Sequence, residues 1–270
     1  MSAGSLRPSA GSLRRTVHAE WTKLRTDAGH LWLLLGLVAV TASVSAAAAA
    51  TARCPTGGCG QDPVRLSLTG VTPGQTIAAI VAVLVVGHEY GTGLIHTTLA
   101  AVPRRTTVLA AKAAVVSGTV FAAGTVAVLA SVLAGRSLLP GNGFTPAHGY
   151  AALSLTDGPT LRAAAGSVLY LVLVALLALG ICTAVRDTAV AMGVVLGLLY
   201  LFPLLSHVVT DPGLRRHLAQ IGPMPAGLAV QATTDLRHLP IGPWAGLGVL
   251  ALWAAGALLV GGTVLRLRDA

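Results

Sequence analysis

Leu169-Tyr170-Leu171-Val172-Leu173-Val174-Ala175-Leu176-Leu177-Ala178-Leu179 is an unbroken apolar run with no polar–apolar alternation. A membrane barrel strand alternates over about ten residues. Inside lipid only helices and closed barrels satisfy their own backbone hydrogen bonds. The run therefore reads as a helix. Its window, 163–185, holds no Asp, Glu, Lys or Arg, and five further windows share that property: 31–52, 66–87, 113–135, 188–210 and 239–265. About 20 apolar residues cross the hydrocarbon layer, and each window has 22 or more. The reading is an all-α, polytopic membrane protein with spans at about 31–52, 68–87, 113–134, 163–185, 188–208 and 243–264. The last span is placed at Pro243 because a first-turn proline is tolerated there.

Composition agrees. The 270 residues are 54% hydrophobic and 10% charged, with mean hydropathy +0.77. A soluble domain carries about 25% charged residues, so a soluble globule and a disordered tail are excluded. Between the spans, 137–156 holds Pro140, Gly141, Asn142, Gly143 and Pro146 and reads as a loop. The segment 209–240, with Pro223, Pro225 and Gln231, is too broken to span and is expected outside the membrane or as a re-entrant turn. No repeat of 20–50 residues is visible, which disfavours an inverted-repeat carrier.

Charge sets the expected orientation. Six crossings put both termini on one side. That side carries 11 basic residues: Arg7, Arg14, Arg15, Lys23, Arg25, Arg104, Arg105, Lys112, Arg186, Arg266 and Arg268. The other side carries 7: Arg53, Arg65, Arg136, Arg162, Arg215, Arg216 and Arg237. The positive-inside rule places both termini in the cytoplasm of a plasma-membrane protein. The net charge of +9 is read as orientation and lipid contact. Nucleic-acid binding, which needs a basic face with stacking aromatics, is not expected. Roughly 30 residues precede the first apolar run, too many for a cleaved signal, so the first span is expected to be retained.

Motifs for chemistry are missing. No G-x-x-x-x-G-K-[ST] occurs, and His88-Glu89-Tyr90-Gly91-Thr92 begins like a zinc helix but lacks the second histidine. The windows hold no acid, lysine or arginine, whereas ion-coupled carriers keep such groups in their spans. No catalytic activity, cofactor or metal is expected on this chain, and any motor should be a separate protein. Cys54 and Cys59, in Cys54-Pro55-Thr56-Gly57-Gly58-Cys59, admit either a disulfide on an oxidising exterior or two free thiols. Gly193-x-x-x-Gly197 and Gly242-x-x-x-Gly246 suit close helix packing, within the chain or between subunits.

Two segments on the expected cytoplasmic side look built to receive force. In the N-terminal segment 1–30, Val17, Glu20, Trp21, Lys23, Leu24 and Arg25 form an amphipathic, interfacial helix by spacing, with Trp21 at headgroup level. Segment 88–112 opens on Glu89, Tyr90, Gly91 and Gly93, continues through a short apolar stretch, and closes on Pro103, Arg104 and Arg105. Gly91 and Gly93 are expected to permit a sharp turn out of the membrane. Glu89 is tolerable at a span end if it meets water or a cation.

These blocks carry a resemblance. Glu20-Trp21-Thr22-Lys23-Leu24-Arg25, and Glu89-Tyr90-Gly91-Thr92-Gly93 followed by Thr97-Thr98-Leu99 and Val102-Pro103-Arg104-Arg105, resemble actinobacterial-type ATP-binding-cassette transporter permeases of the type-2 exporter class. The resemblance implies a domain of six helices (31–265) with a cytoplasmic tail, 266–270. It implies a coupling element in 89–105 docked on a separate P-loop ATPase subunit, which holds the ATP and Mg. It implies a second permease subunit, in a homodimer or heterodimer, and a re-entrant segment before the last span. His88 departs from the pattern and is assigned no role. The function expected is export of lipid-like or amphipathic cargo. A non-transporting membrane anchor or assembly protein, or a gradient-driven carrier, are the alternatives.

Overall fold

The computed structural model describes residues 16–18, 20–22, 28–54, 59–91 and 105–267. It is helical with no strand among the described residues. The long helices are α1 (Ala28–Thr51), α3 (Val71–Gly91), α4 (Arg105–Leu138), α5 (Gly158–Val185), α6 (Thr188–Val208) and α9 (Pro243–Leu267). Short helices are α2 (Pro63–Ser67), α7 (Pro212–Ile221) and α8 (Pro223–Leu228). Residues 16–18 and 20–22 are also helical. The six long helices are long and apolar enough to cross a membrane, which makes this a multi-pass membrane protein.

Burial assigns each helix its neighbours. The buried residues of α1 are His30, Leu37, Thr41, Ser45 and Ala49, a single stripe at helical spacing. Helix α6 buries only Ala191, Val195 and Leu199. Helix α5 has the most buried positions, from Thr160 to Thr183, although Leu161 and Leu169 stay exposed, and it packs on α3, α4, α6 and α9. The centre of the bundle is thus α5 with α3. The other helices give one face to protein, and their remaining apolar surface, such as Leu252 and Leu259, is left for lipid.

Glycine lets α5 and α9 cross closely. A Cβ on Gly180 of α5 would stand 2.5 Å from the Ala257 carbonyl carbon of α9, and one on Gly261 would stand 2.6 Å from the Gly180 oxygen. Only hydrogen fits there. Of the G-x-x-x-G pairs, Gly246 packs on the Ala226 carbonyl, whereas Gly193, Gly197 and Gly242 meet nothing within 4 Å.

Helix ends differ from the expected span limits where polar groups find partners. Helix α4 has 34 residues, starting eight positions before the charge-free window. At 1.5 Å per residue it measures about 51 Å, against about 30 Å of hydrocarbon. Helix α3 runs on to Gly91. Gly91 takes no positive φ, and Gly93, the second glycine of the expected turn, lies outside the described residues. The turn between α5 and α6 is two residues: Arg186 is left-handed (φ 63°) and its N–H bonds the Cys182 carbonyl, then the Asp187 carboxylate caps α6 at the Val190 N–H.

Candidate functional site

The chain's two ends of the bundle are built differently. At the near end, where residues 16–18 and 20–22, the end of α3, the start of α4 and the end of α9 gather, three charges are buried together. Lys112 Nζ lies 2.9 Å from Glu20 Oε2 and 2.8 Å from Glu89 Oε1. Lys112, Glu20 and Glu89 are 4%, 3% and 5% exposed. Lys112 stands on α4, Glu89 on the last turn of α3, and Glu20 on the N-terminal helical segment. One ammonium therefore joins three elements from distant parts of the chain. A buried ion group stabilises little in net terms, because desolvation offsets attraction, but removing one member is costly. Its value is in fixing one arrangement.

Next to Glu89, Tyr90 packs its ring under Arg186, whose guanidinium carbon is 5.9 Å from the ring centroid. The Tyr90 hydroxyl is buried and has no hydrogen-bond partner among the described residues. Arg186 Nη2 donates to the Val264 carbonyl (3.3 Å), and Arg105 Nη1 donates to the Leu265 carbonyl (2.8 Å). Both satisfy carbonyls in the last turns of α9, where a helix leaves acceptors open and favours cations. Gly87 brings α3 against α6: a Cβ there would meet Thr188 Oγ1 at 2.3 Å.

Of the residues singled out from sequence, Glu20, Glu89, Tyr90 and Arg105 are thus brought to one end. Val17 is half-buried and Trp21 exposed on the same segment as Glu20. Gly91 ends α3 in open space. Lys23, Leu24, Arg25, Gly93, Pro103 and Arg104 lie outside the described residues. The sequence reading counted Lys112 among the cytoplasmic-side basic residues, as the last residue of segment 88–112 and outside the third span. In the structure Lys112 lies within helix α4, in phase with Val108, Val115 and Thr119, three and four residues apart on its buried stripe. A lysine on that stripe was the available signal, and extending the stripe before Ala113 exposes it.

The far end is held by a second polar set. Cys54 and Cys59 form a disulfide, with Cα atoms 5.8 Å apart. The loop 139–157 packs over it: the Cys54 N–H donates to the Asn142 carbonyl, and Gly143 (φ 94°) approaches the Cys54 carbonyl so closely that a Cβ would clash at 2.1 Å. Asp62 caps α2 through the Val64 and Arg65 N–H groups. It also accepts from the Thr233 N–H (2.5 Å), the Thr233 hydroxyl (2.7 Å) and the Thr234 N–H (3.1 Å). Residues 223–232 enter the bundle. Gln231 Nε2 donates to Ser167 Oγ (3.0 Å), Gln75 Nε2 donates to Met224 Sδ (3.2 Å), and the Tyr170 hydroxyl donates to Gln75 Oε1. Arg162 Nη2 donates to the Ala232 carbonyl at 2.6 Å. Helix α3 is thus tied at Glu89 to the near-end cluster and at Gln75 to the inserted segment. Neither Asp62 nor Gln75 was singled out from sequence, although Asp62-Pro63 is a helix-start pair.

Comparison with protein-family models and with curated proteins finds no match for this sequence.

Proposed function

We propose that this chain is the membrane-spanning permease subunit of an ATP-binding-cassette exporter in the plasma membrane, with the near end of the bundle facing the cytoplasm. A separate P-loop ATPase supplies the energy, and a second permease subunit, identical or related, completes the path. The observation that carries this reading is the Lys112 cluster. Glu20 and Glu89 come from the two sequence blocks that resemble type-2 exporter permeases, and one buried lysine holds both. Force arriving in 89–105 would then move the N-terminal helix, α3 and α4 as one body. Helix α3 would carry that motion to the inserted segment through Gln75 and Met224.

The exposed Gly193–Gly197 face of α6 supports a subunit contact, since small residues with open space above them permit close helix approach. Apolar walls favour lipid-like or amphipathic cargo over ions. The test is purification in mild detergent with identification of co-purifying chains. A stoichiometric P-loop ATPase is expected. Glu89→Ala should leave insertion intact while ATP hydrolysis continues without export of a fluorescent lipid analogue. Purification with no ATPase, together with normal export by Glu89→Ala, would refute the assignment.

A further inference from the structure

Helix α7 reads Pro212-Gly213-Leu214-Arg215-Arg216-His217-Leu218-Ala219-Gln220-Ile221, with two arginines, one histidine and no acid. Leu214, Leu218 and Ile221 recur at i, i+4 and i+7, which puts them on one face. By the same period Arg216 stands on the opposite face, and Arg215 and His217 flank the apolar stripe. A soluble domain would press such a stripe into its core. Here no residue of α7 is buried, and Leu214 and Ile221 are 51% and 54% exposed.

The attachment of α7 decides what covers that stripe. Residues 209–211 alone join it to α6, so its start lies within about 11 Å of the end of a membrane span. The last two turns of that span expose Leu201, Leu204, Leu205 and Val208. The other end of α7 goes deeper. A Cβ on Gly222, the residue after α7, would stand 2.7 Å from Phe202 Cβ. Phe202 lies six residues before Val208, the last residue of α6, or about 9 Å. The Trp253 indole N–H donates to the Ile221 carbonyl (2.9 Å), and Gln220 Nε2 donates to the Pro240 carbonyl (2.8 Å), which holds that depth. Helix α7 therefore slants from the rim of the bundle to about 9 Å below it. Interfacial helices bury their apolar face about 5–10 Å into the headgroup–acyl boundary. Arg215 and Arg216 stand nearer the rim than Ile221, at headgroup level. Both are exposed, and neither guanidinium has a hydrogen bond or ion pair among the described residues. Asp211, the nearest acid in sequence, is engaged at the helix start, where it accepts from the Leu214 N–H at 2.8 Å.

We infer that α7 is an interfacial helix that binds anionic phospholipid headgroups of the far-end leaflet. Leu214 and Ile221 lie among the upper acyl carbons, and Arg215 and Arg216 take the phosphates. A guanidinium suits phosphate because its planar fork offers paired donors. Apolar burial and attraction to anionic lipid then act together. This surface needs only the multi-pass bundle and does not depend on the transport reading.

The test uses the full chain carrying Leu214→Cys, labelled there with a fluorophore and reconstituted in phosphatidylcholine vesicles. Cys54 and Cys59 are bonded and Cys182 is buried, so the label goes to position 214. A minority of the lipid is brominated on its upper acyl chain, as phosphatidylglycerol in one arm and as phosphatidylcholine at equal share in the other. Both lipids should quench the label, and phosphatidylglycerol should act as though enriched about fivefold for each arginine. Arg216→Gln should lower that preference about fivefold, and Arg215→Gln with Arg216→Gln should abolish it. Neither guanidinium has a partner to lose, so both variants should melt with the parent chain. Quenching by neither lipid would overturn the proposal, since protein or water would then cover α7; a second copy in that place would cross-link through Leu214→Cys. Equal quenching by the two lipids, or a preference that survives the double substitution, would overturn it too. So would a preference removed by inorganic phosphate in the buffer, which would mark a site for soluble anions.

Discussion

Replacing Lys112 by Met keeps an unbranched side chain, one heavy atom shorter, and removes its charge. The two carboxylate oxygens bonded to Nζ lie 2.9 and 2.8 Å from it, so they are at most ~6 Å apart. At an effective dielectric near 20, their unscreened repulsion at that distance is about 3 kcal/mol. The lost attraction is larger, but desolvation offsets much of it. Breaking a buried pair by removing one partner costs about 3–5 kcal/mol, and we expect Lys112→Met to fall in that range. With about 2–4 °C per kcal/mol for a chain of this size, the apparent melting temperature in detergent should fall by about 10 °C. Glu20 anchors the N-terminal segment, so limited proteolysis before α1 should accelerate in parallel. Lys112→Met combined with Glu20→Gln and Glu89→Gln removes all three charges and should recover most of the loss. A Lys112→Met chain that melts with the wild type and resists proteolysis equally would refute the cluster as a clamp, as would a triple variant less stable than the single.

Three further outcomes follow from the packing. Gly180→Val should destabilise by about 1–3 kcal/mol, because its Cβ meets Ala257 and Leu258 backbone that cannot turn aside; Gly193→Ala, with open space above it, should leave the melting temperature of the isolated chain unchanged, and equal melting of both variants would contradict the α5–α9 crossing. Cys54→Ser with Cys59→Ser opens a loop with a sequence separation of 5 and should cost about 2 kcal/mol; mass tagging of thiols in the untreated wild-type chain should label Cys54 and Cys59 only after reduction. Asp62→Ala removes three contacts to Thr233 and Thr234, should destabilise by about 3 kcal/mol, and should make a cysteine placed at Thr233 react faster with a water-soluble maleimide.

The spans were legible because apolar length is a local property, readable residue by residue, and the windows 163–185 and 188–208 meet helices Gly158–Val185 and Thr188–Val208 closely. Limits failed where a charge found a distant partner. Lys112 closed the third window in sequence, yet α4 continues eight residues before that window because Glu20 and Glu89 receive the ammonium. Those acids lie 92 and 23 positions away along the chain, beyond any helical period. Glu89 was expected to need water or a cation, and it has a cation. The partner could not be named, since nothing local distinguishes Lys112 from a loop lysine except its phase with Val108 and Val115. The Asp62–Thr233 contact escaped for the same reason.

Helix α4 contains no proline and extends about 20 Å beyond the thickness of the hydrocarbon layer. A stiff rod of that length behaves as a lever. A small tilt imposed where Lys112 is gripped meets no proline kink along the helix, and it reappears at Gly135, where a Cβ would meet Ser67 at 2.5 Å. The far-end loops therefore sit within mechanical reach of the charged end.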